Sequence, residues 1–405
     1  MVLSSLMVTR QQLLHLVEKN VIQARGWRGL GRLPISPEEI RKVLVIRNND
    51  LGDVLLATPL FRALKRSLPQ AAVHACIGPW AQDLLLGNSH VDRVVASPIP
   101  WGNRKLRGGW REAMAFLYRS PLTNQLRSEK YDVGIDVAGN LWTAWLLKRA
   151  GVRLRIGIGG YQGGGLLNHI SVPFTVDEHV SRKGLRLLEP LGIFSSDTCL
   201  EFPLSHQDHA GTSGLLRKVG INSTEAYIVL SPGVGWPPSK SWLPEYFAEV
   251  GRMCFAELGW RSLVTGSPSE RSLTSRVAEG IGPSGHDLGG KTSIRQFGSL
   301  IRGARLVVCN SSVSMHIAHA LGTPSVVIVG GIDGGLSVNR RLWGYPTGCT
   351  LLGTDDRDCS VLCGPYCATR DCMRAITPQE VFEASKSLLA MHSQSRIEQD
   401  YVARA

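Results

Sequence analysis

The stretch KVLVIRNNDLGDVLLATPLFRALKRSLP (42–69) contains an apolar run, a glycine turn and an amphipathic segment in direct succession. Its first part, KVLVIR (42–47), predicts a buried strand, and a helix is predicted from about Asp53 to Leu68. The elements that follow are predicted strands at AVHACIG (72–78), DRVVA (92–96), YDVGIDV (131–137) and RLRIGIG (153–159), and a predicted helix near 140–150. Strands that alternate with helices in this way indicate an α/β protein with a parallel, doubly wound sheet.

The second half of the chain repeats this alternation. Its predicted strands are AYIVLSPG (226–233), RSLVTG (261–266), RLVVCN (305–310) and PSVVIVG (324–330), and its predicted helices lie at 241–258, 267–281, 293–304 and 311–322. We therefore expect two Rossmann-like parallel-sheet domains that face a cleft, with the boundary in the polar stretch near 204–225. The predicted divisions are an N-terminal extension (1–40), a first domain (41–210), a second domain (220–376) and a C-terminal helix and tail (377–405).

The N-terminal extension has one amphipathic segment. Apolar residues between about Val8 and Gln23 fall on one face of a helix, and arginines follow. Such a helix either packs onto the first domain or lies on a membrane surface.

The composition is that of an ordinary globular protein. Of the 405 residues, 43% are hydrophobic and 19% are charged, which excludes a disordered or fibrous chain. No window is long and apolar enough to predict a membrane span, and the first residues do not predict a secretory signal. The sequence predicts a cytoplasmic protein.

The net charge of +12 is concentrated in the first half. Residues 1–205 carry 26 basic and 16 acidic side chains (26 − 16 = +10), whereas residues 206–405 carry 19 and 17 (19 − 17 = +2). This asymmetry predicts a polyanionic partner, either nucleic acid, an anionic membrane or a phosphorylated glycolipid; a solvated basic face is the alternative. No helix-turn-helix signal, RNP-type aromatic pattern or Lys/Arg-rich tail supports binding to nucleic acid, so we expect none.

Asp53 is the first candidate for chemistry. It follows a predicted strand and a turn at Gly52, at the sheet edge where open α/β sheets bind ligands. A carboxylate there can serve as the general base for an acceptor hydroxyl, or it can simply cap the helix.

Two segments of the second half have the features of phosphate-binding loops. SPGVGWPPSKSW (231–242) is a Gly/Pro loop with Lys240 just before a helix. VVCNSSVSMHIAHALG (307–322) places three serine hydroxyls ahead of a helix that contains His316. The alternative for the second segment is a serine-capped helix with an internal histidine.

Four of the nine cysteines cluster near the C-terminus, at Cys359, Cys363, Cys367 and Cys372. Four thiolates can hold a tetrahedral zinc ion, although the spacing C-x3-C-x3-C-x4-C is not that of paired CxxC motifs. Reduced structural thiols and a disulfide are the other readings, and none of them is catalytic.

Five segments in order resemble glycosyltransferase family 9, the heptosyltransferases of bacterial lipopolysaccharide assembly. The resemblance extends from about Lys42 to the cysteine cluster. The segments are RNNDLGDVLLATPLFRALKRSLP (47–69), KSWLPEYFAEV (240–250), LVTGSPSE (263–270), DLGGKTSIRQFGSLI (287–301) and CNSSVSMHIAHALGTPSVVIVGG (309–331).

The resemblance implies a GT-B architecture, with an acceptor-binding first domain, a second domain that binds a nucleotide-sugar, inversion at the anomeric carbon, and neither metal nor cofactor. Asp53 matches the family's catalytic base and Lys240 the residue that neutralises the leaving diphosphate. The positions that match donor-binding residues are Glu270 at the ribose, Thr292 at the base, Ser311 at the sugar hydroxyls, and Ser312, Val313 and His316 at the diphosphate-binding turn and helix.

The chain departs from the family pattern at three positions of that turn. Ser311, Val313 and Ser314 replace an acid, a glycine and a proline. The predicted function is an inverting transfer of a sugar, a heptose being one candidate, from a nucleotide-sugar to a lipopolysaccharide-core or related anionic glycolipid, at the inner membrane surface. The alternative is a catalytically divergent binding or scaffold protein of envelope glycan assembly.

Overall fold

The computed structural model describes residues 35–102, 108–222, 225–355, 364 and 366–402, without the side chains at 333 and 394–402. Contacts divide the chain after Glu201 into two compact units. The polar stretch 204–225, where the sequence predicts the boundary, opens the second unit, because the helix His206–Lys218 packs on the helix Ile294–Gly303.

The first unit is built on a six-stranded sheet in the order β3-β2-β1-β4-β5-β6, and every pair is parallel. Its strands are β1 (Lys42–Ile46), β2 (Ala72–Ile77), β3 (Arg93–Ala96), β4 (Val133–Asp136), β5 (Leu154–Gly159) and β6 (Ile170–Pro173). Its α-helices are Leu51–Leu55, Thr58–Ser67, Trp110–Arg119, Pro121–Ser128, Leu141–Arg149 and Val180–Arg186. The central strands are buried on both faces, as their continuous apolar sequences require.

The helix predicted from Asp53 to Leu68 is two helices. Pro59 has no N–H to donate within a continuous helix, and it lies in the first turn of the second helix, where none is needed. The Thr58 hydroxyl donates to the Leu55 carbonyl at 2.7 Å across the break. The short first helix therefore ends at Leu55, and Asp53 lies within it.

The second unit is built on a second six-stranded parallel sheet, in the order β12-β11-β10-β7-β8-β9. Its strands are β7 (Tyr227–Ser231), β8 (Arg261–Val264), β9 (Gly285–Asp287), β10 (Leu306–Asn310), β11 (Ser325–Val329) and β12 (Cys349–Gly353). Its α-helices are His206–Lys218, Pro244–Leu258, Arg271–Ile281, Ile294–Gly303, Val313–Ala320, Gly335–Trp343, Asp371–Arg374 and Pro378–Val402.

Trp242 fixes the C-terminal segment to the core of the second unit. Its ring is fully buried, and its indole N–H donates to the carbonyls of Met373 and Ile376, each at 3.0 Å. The long helix Pro378–Val402 then packs on the helix Pro244–Leu258. The segment after the sheet is thus part of the second unit's core.

Three strands, β6, β9 and β12, are absent from the sequence prediction. All three are edge strands, and their sequences, such as GHD in β9, are not continuous apolar runs. The predicted N-terminal helix lies outside the described residues. In the part of the chain that the structure covers, no helix has the length and apolarity to cross a bilayer.

Candidate active site

Each sheet has a topological switch point, where strand order reverses and ligands bind beyond the carboxyl ends of the strands. In the first sheet this point lies between β1 and β4, because β1 pairs with β2 on its other side. In the second sheet it lies between β7 and β10. The predicted base follows β1, whereas the predicted donor-binding residues lie in the second unit, several of them directly after β7 and β10.

Asp53 is held in a defined orientation after β1. Its Oδ1 accepts from Arg47 Nη2 at 2.7 Å, and its Oδ2 accepts from the backbone N–H of Asp50 at 3.2 Å, in a reciprocal cap with the Asp50 side chain. The side chain is 31% exposed, so the carboxylate remains accessible from solvent. It is therefore both a helix cap and an oriented carboxylate, and the two readings of the sequence are compatible.

Arg47 links the two strands at the switch point. Ile46 is paired with Asp136 in the β1–β4 register, so that the next residues, Arg47 and Val137, lie side by side. The Arg47 guanidinium donates to the Val137 carbonyl at 3.3 Å as well as to Asp53. Arg47 is 9% exposed, and it orients the Asp53 carboxylate from a fixed position.

Asp136 is a completely buried carboxylate at the end of β4. Its Oδ1 accepts from the backbone N–H groups of Ala138 and Gly139 at 3.1 and 3.0 Å, and the described part of the chain provides no hydrogen-bond partner for Oδ2. Burial raises the pKa of Asp136 to about 7, against the opposing effects of those N–H groups and of Arg47. The first site thus contains a carboxyl group that titrates near neutrality behind an arginine.

Asn310 fixes the loop that carries Lys240. It is fully buried at the end of β10, its Nδ2 donates to the Pro232 carbonyl at 2.7 Å, and its Oδ1 accepts from the Trp242 N–H at 2.9 Å. These bonds hold both ends of the loop between β7 and the helix Pro244–Leu258. Lys240 ends a short 3-10 turn inside this loop.

Glu270 lies against the same loop. A Cβ at Gly233 would lie 2.2 Å from Glu270 Oε1, so glycine is required for the close approach of the loop. Glu270 Oε2 accepts from the N–H and the hydroxyl of Ser267, each at 2.7 Å. The structure thus brings a predicted ribose-binding acid into contact with the predicted phosphate loop, although 37 positions separate Glu270 from Gly233.

Thr292 is half-buried just before the helix Ile294–Gly303. The glycine turn that precedes it packs on the Glu270 turn, because a Cβ at Gly290 would lie 2.8 Å from Pro268 Cα. The Gly290 N–H also donates to the Gly266 carbonyl at 2.8 Å. Thr292 therefore lies on a segment packed against the turn that holds Glu270.

The serine-rich turn after β10 joins the Lys240 loop from the other strand. Ser314 contacts Ser231 at the end of β7, with 2.8 Å between hydroxyl oxygens, and Ser312 donates to Ser314 at 3.3 Å. Ser311 donates to Asn339 Oδ1 at 3.3 Å. Val313 begins the helix Val313–Ala320, for which Ser312 is the N-cap. Hydroxyls and a helix N-terminus therefore meet at the switch point, an arrangement that suits an anion.

His316 lies in the first turns of that helix and is 7% exposed. Its Nδ1 is 2.5 Å from the Tyr345 hydroxyl, and His319 stacks on the Tyr345 ring at a centroid distance of 3.6 Å. Burial raises the pKa of Tyr345 well above its ordinary value, so its hydroxyl stays protonated. His316 is thus an interior residue of the helix for which a phosphate-binding role is predicted.

Three residues of these sites are absent from the sequence prediction: Arg47, Asp136 and Asn310. Arg47 and Asn310 end the apolar runs KVLVIR and RLVVCN, and Asp136 lies within YDVGIDV. A polar residue near the end of a predicted strand is therefore the sequence feature that could indicate these site residues. Their partners lie on neighbouring strands or loops.

The cysteine cluster is described only in part. Cys359 and Cys363 lie outside the described residues, so the predicted zinc site is not tested. Cys372 is buried, and its sulfur accepts from the Gly331 N–H at 3.4 Å. Within the described ranges no group of three or more His, Cys, Asp or Glu side chains is arranged to hold a metal.

Known structures share this fold. A family 9 glycosyl transferase from Veillonella parvula DSM 2008 superposes with a TM-score of 0.74 over 89% of this chain and 100% of that chain, at 18% identity. The ADP-heptose lps heptosyltransferase II of E. coli superposes with a TM-score of 0.67 over 87% of this chain and 99% of that chain, at 20% identity. The predicted GT-B fold class, with two Rossmann-like parallel-sheet domains, is confirmed.

The sequence comparisons agree. Lipopolysaccharide heptosyltransferase 2 of Escherichia coli (strain K12) is 25% identical over 303 residues, which cover 71% of this chain and 82% of that protein. Lipopolysaccharide heptosyltransferase 1 of the same strain is 23% identical over 296 residues, covering 73% and 89%. The family signature described as glycosyltransferase family 9 (heptosyltransferase) matches residues 119–334, more than half of the chain. The chain therefore belongs to glycosyltransferase family 9, as its sequence motifs predict.

Proposed function

We propose that the protein is an inverting, metal-independent glycosyltransferase that moves a sugar from a nucleotide-sugar to a hydroxyl of a lipopolysaccharide-core or related glycolipid. A heptose is the first candidate, since the relatives are heptosyltransferases. The observation that carries the proposal is the oriented Asp53 carboxylate at one switch point, with a lysine, an acid and a hydroxyl-rich helix N-terminus gathered around the other.

Asp53 is the proposed general base. Arg47 occupies Oδ1, whereas Oδ2 accepts a single hydrogen bond from the described residues, that of the Asp50 N–H, and has a lone pair left for the acceptor hydroxyl. As the hydroxyl oxygen attacks the anomeric carbon, its proton passes to Oδ2 and the bond from that carbon to the diphosphate breaks. Attack from the face opposite the leaving group inverts the anomeric configuration.

Lys240 and the helix Val313–Ala320 are proposed to stabilise the leaving diphosphate. An ammonium group and the N–H groups of a helix N-terminus both favour the negative charge that develops as the bond breaks. The hydroxyls of Ser312 and Ser314 lie in the turn before and at the start of that helix. These groups supply the charge neutralisation that other transferases take from a divalent cation, and the proposal needs no cofactor.

Nucleotide preference is the first test. Thermal unfolding is measured with ADP, UDP, GDP and their common sugar conjugates, ADP-heptose included. A ligand at a hundredfold excess over its Kd stabilises the native state by about 2.7 kcal/mol. Selective stabilisation by one nucleotide series supports the proposal. If none of these nucleotides stabilises the protein, the altered Ser311–Ser314 turn has removed the donor site, and the alternative, a divergent binding protein, takes its place.

Two variants then separate catalysis from binding. Asp53→Asn is expected to abolish turnover and to leave donor affinity nearly intact, because the amide cannot accept the proton. Lys240→Ala is expected to weaken nucleoside diphosphate affinity. Donor affinity that falls as far as turnover in Asp53→Asn contradicts the role of Asp53, and an unchanged affinity in Lys240→Ala contradicts that of Lys240.

The acceptor is proposed to be anionic and held at the inner face of the cytoplasmic membrane, where the protein works as a peripheral, cytoplasmic enzyme. The net charge of +10 over residues 1–205 supports this, since each basic residue near an anionic lipid surface contributes about 1 kcal/mol. Co-sedimentation with vesicles that contain anionic lipid should fall as salt is raised. Binding that high salt leaves unchanged argues against the electrostatic contribution.

A further inference from the structure

Two exposed aromatic side chains, Trp236 and Tyr366, contact each other in the second unit. Their ring centroids are 5.5 Å apart and the ring planes are at 82°, so that the edge of one ring meets the face of the other. Trp236 is 41% exposed and Tyr366 is 77% exposed. In the described part of this unit, four large hydrophobic side chains are exposed, the others being Phe255 and Met391, and this pair forms a joint surface.

The pair lies beside the proposed donor site. Trp236 is in the loop after β7, four residues before Lys240, and the turn Pro238–Lys240 follows almost directly. Four residues span at most about 14 Å even when fully extended. Two consecutive prolines after Trp236 restrict the loop further. Trp236 therefore lies on the same short loop as Lys240, the proposed ligand of the diphosphate to which the sugar is joined.

The segment that carries Tyr366 is fastened to the same loop. Arg370 Nη1 donates to the Ser241 carbonyl, the residue after Lys240, at 3.2 Å. Arg370 has a φ of 49°, in the left-handed region that an arginine rarely adopts. Such a conformation persists only where the surrounding structure imposes it, and it is enriched at ligand-binding sites. The Gly331 N–H to Cys372 bond adds a second anchor.

We propose that Trp236 and Tyr366 form an aromatic corner that stacks against the pyranose ring of the transferred sugar. One face of such a ring carries several C–H groups, whose partial positive charge is attracted to the electron-rich face of an aromatic ring. Two rings at right angles can contact the sugar with the face of one ring and the edge of the other. Outside this unit's core, exposed aromatic surface of this kind indicates a binding site. The inference rests on the proposed nucleotide-sugar donor.

The test compares a nucleoside diphosphate with its sugar conjugate by calorimetry, with ADP and ADP-heptose as the first pair. Trp236→Ala and Tyr366→Ala should each weaken ADP-heptose binding about fivefold to tenfold while ADP binding stays within about twofold. Trp236→Phe should retain most of the affinity, because it keeps an aromatic face. Phe255→Ala removes an exposed aromatic from the helix Pro244–Leu258 and is the matched control, expected to bind both ligands as the wild type does.

Three results overturn the inference. ADP-heptose affinity that both alanine variants retain removes the stacking role. Equal weakening of ADP and ADP-heptose assigns the residues to loop structure. An effect confined to the acceptor KM places the corner outside the donor site. A wild-type protein that binds neither ligand, nor any other nucleotide pair of the thermal screen, instead overturns the proposed function itself.

Discussion

Arg47 Nη2 and Asp53 Oδ1 are 2.7 Å apart, and the arginine is the more deeply buried partner, with 11% of its side chain exposed against 31% for the aspartate. The guanidinium is also held by the Asp53 and Val137 carbonyls, both at 3.3 Å. A planar donor fixed at three points sets the position of the carboxylate that it binds. Arg47 is thus a positioning residue for the proposed base.

Replacing Arg47 should therefore lower kcat without a matching loss of donor affinity. We expect Arg47→Met to reduce kcat by about tenfold to a hundredfold, the range associated with misplacing a reactive group by about 1 Å. Arg47→Lys keeps the charge but not the planar fork, so its kcat should be intermediate. Steady-state kinetics with ADP binding measured in parallel provide the check.

Arg66→Met is the matched control for this prediction, since the Arg66 side chain is 68% exposed and its ion pair with Asp197 is long, at 3.6 Å. Its kcat should equal that of the wild type. A kcat in Arg47→Met that equals the control value would show that Asp53 needs no positioning.

Asp136 predicts a pH dependence of stability. Its pKa is raised to about 7 by burial, so between the ordinary aspartate pKa and about pH 7 the native state binds more protons than the unfolded state. Wild-type stability should accordingly fall as pH rises through this window. Asp136→Asn keeps the oxygen that accepts from Ala138 and Gly139 and removes the ionisation. Between pH 5.5 and 8.5 the free energy of unfolding of the variant should therefore rise by about 2 kcal/mol relative to that of the wild type.

Urea unfolding of both proteins across this pH range measures the difference directly. The gain of Asp136→Asn should grow with pH and level off above pH 7. Stability curves that stay parallel from pH 5.5 to 8.5 would show that Asp136 does not take up a proton in the native state in this range.

The sequence predicts the central strands because of how they are buried. In a parallel sheet covered on both faces, strands such as β1, β7 and β10 read as continuous apolar runs, so composition alone identifies them. The edge strand β12 is as long as these strands, but most of its residues are half-buried, so its sequence has no continuous apolar run and resembles that of a loop. The sequence does not predict the break before Pro59, because the apolar period continues through it.

The site residues divide in the same way. Asp53 and Lys240 lie in local motifs, a turn after a strand and a loop before a helix, and the resemblance to the family gives those motifs a role, so the sequence predicts both residues. Arg47 and Asn310 have their roles through neighbours on adjacent strands or across a loop, as in the Asn310 bond to Pro232, 78 positions away. Single-sequence patterns do not contain such pairings.

Substitution of Arg62, a buried ion-pairing residue of the first unit, should destabilise the protein. Its side chain is 6% exposed and pairs with Asp197 and Glu201, each at 2.8 Å, and it also donates to the Cys199 carbonyl at 2.7 Å. These bonds fix the last residues of the unit to the helix Thr58–Ser67. Arg62→Met removes the guanidinium from both carboxylates, although Asp197 keeps Arg66 at 3.6 Å and Glu201 keeps His90 at 2.9 Å. We expect a loss of about 1.5–3 kcal/mol in the free energy of unfolding.

Arg153→Met is the comparison for Arg62, because the Arg153 side chain is 57% exposed in its ion pair with Asp132. Its loss should be about 1 kcal/mol or less. Urea unfolding of both variants measures the contrast, and equal losses in the two would contradict the assignment of Arg62 as the buried hub.

Donor affinity should depend on Asn310, a buried residue that supports the proposed donor site. Its amide holds the Pro232 carbonyl and the Trp242 N–H, the two ends of the loop that carries Lys240. Asn310→Ala removes the acceptor of the buried Trp242 N–H, at a cost of about 1–3 kcal/mol, and leaves the Pro232 carbonyl with the long 3.4 Å bond from the Ser241 hydroxyl, so that the loop is freed. We expect a lower free energy of unfolding together with ADP affinity that falls about fivefold to tenfold.

The fall in ADP affinity distinguishes loss of loop positioning from loss of stability, provided that a control variant loses stability alone. Thr323 is buried before β11, at the opposite end of the sheet from the carboxyl edge, and its hydroxyl donates to the Ile301 carbonyl at 2.9 Å. Thr323→Val removes this bond without changing shape, so unfolding free energy should fall while ADP affinity stays at the wild-type value. Because Asn310 acts by fixing the loop, calorimetry should show weaker ADP binding in Asn310→Ala alone. Equal ADP affinities in the two variants would show that Lys240 keeps its position without the Asn310 amide.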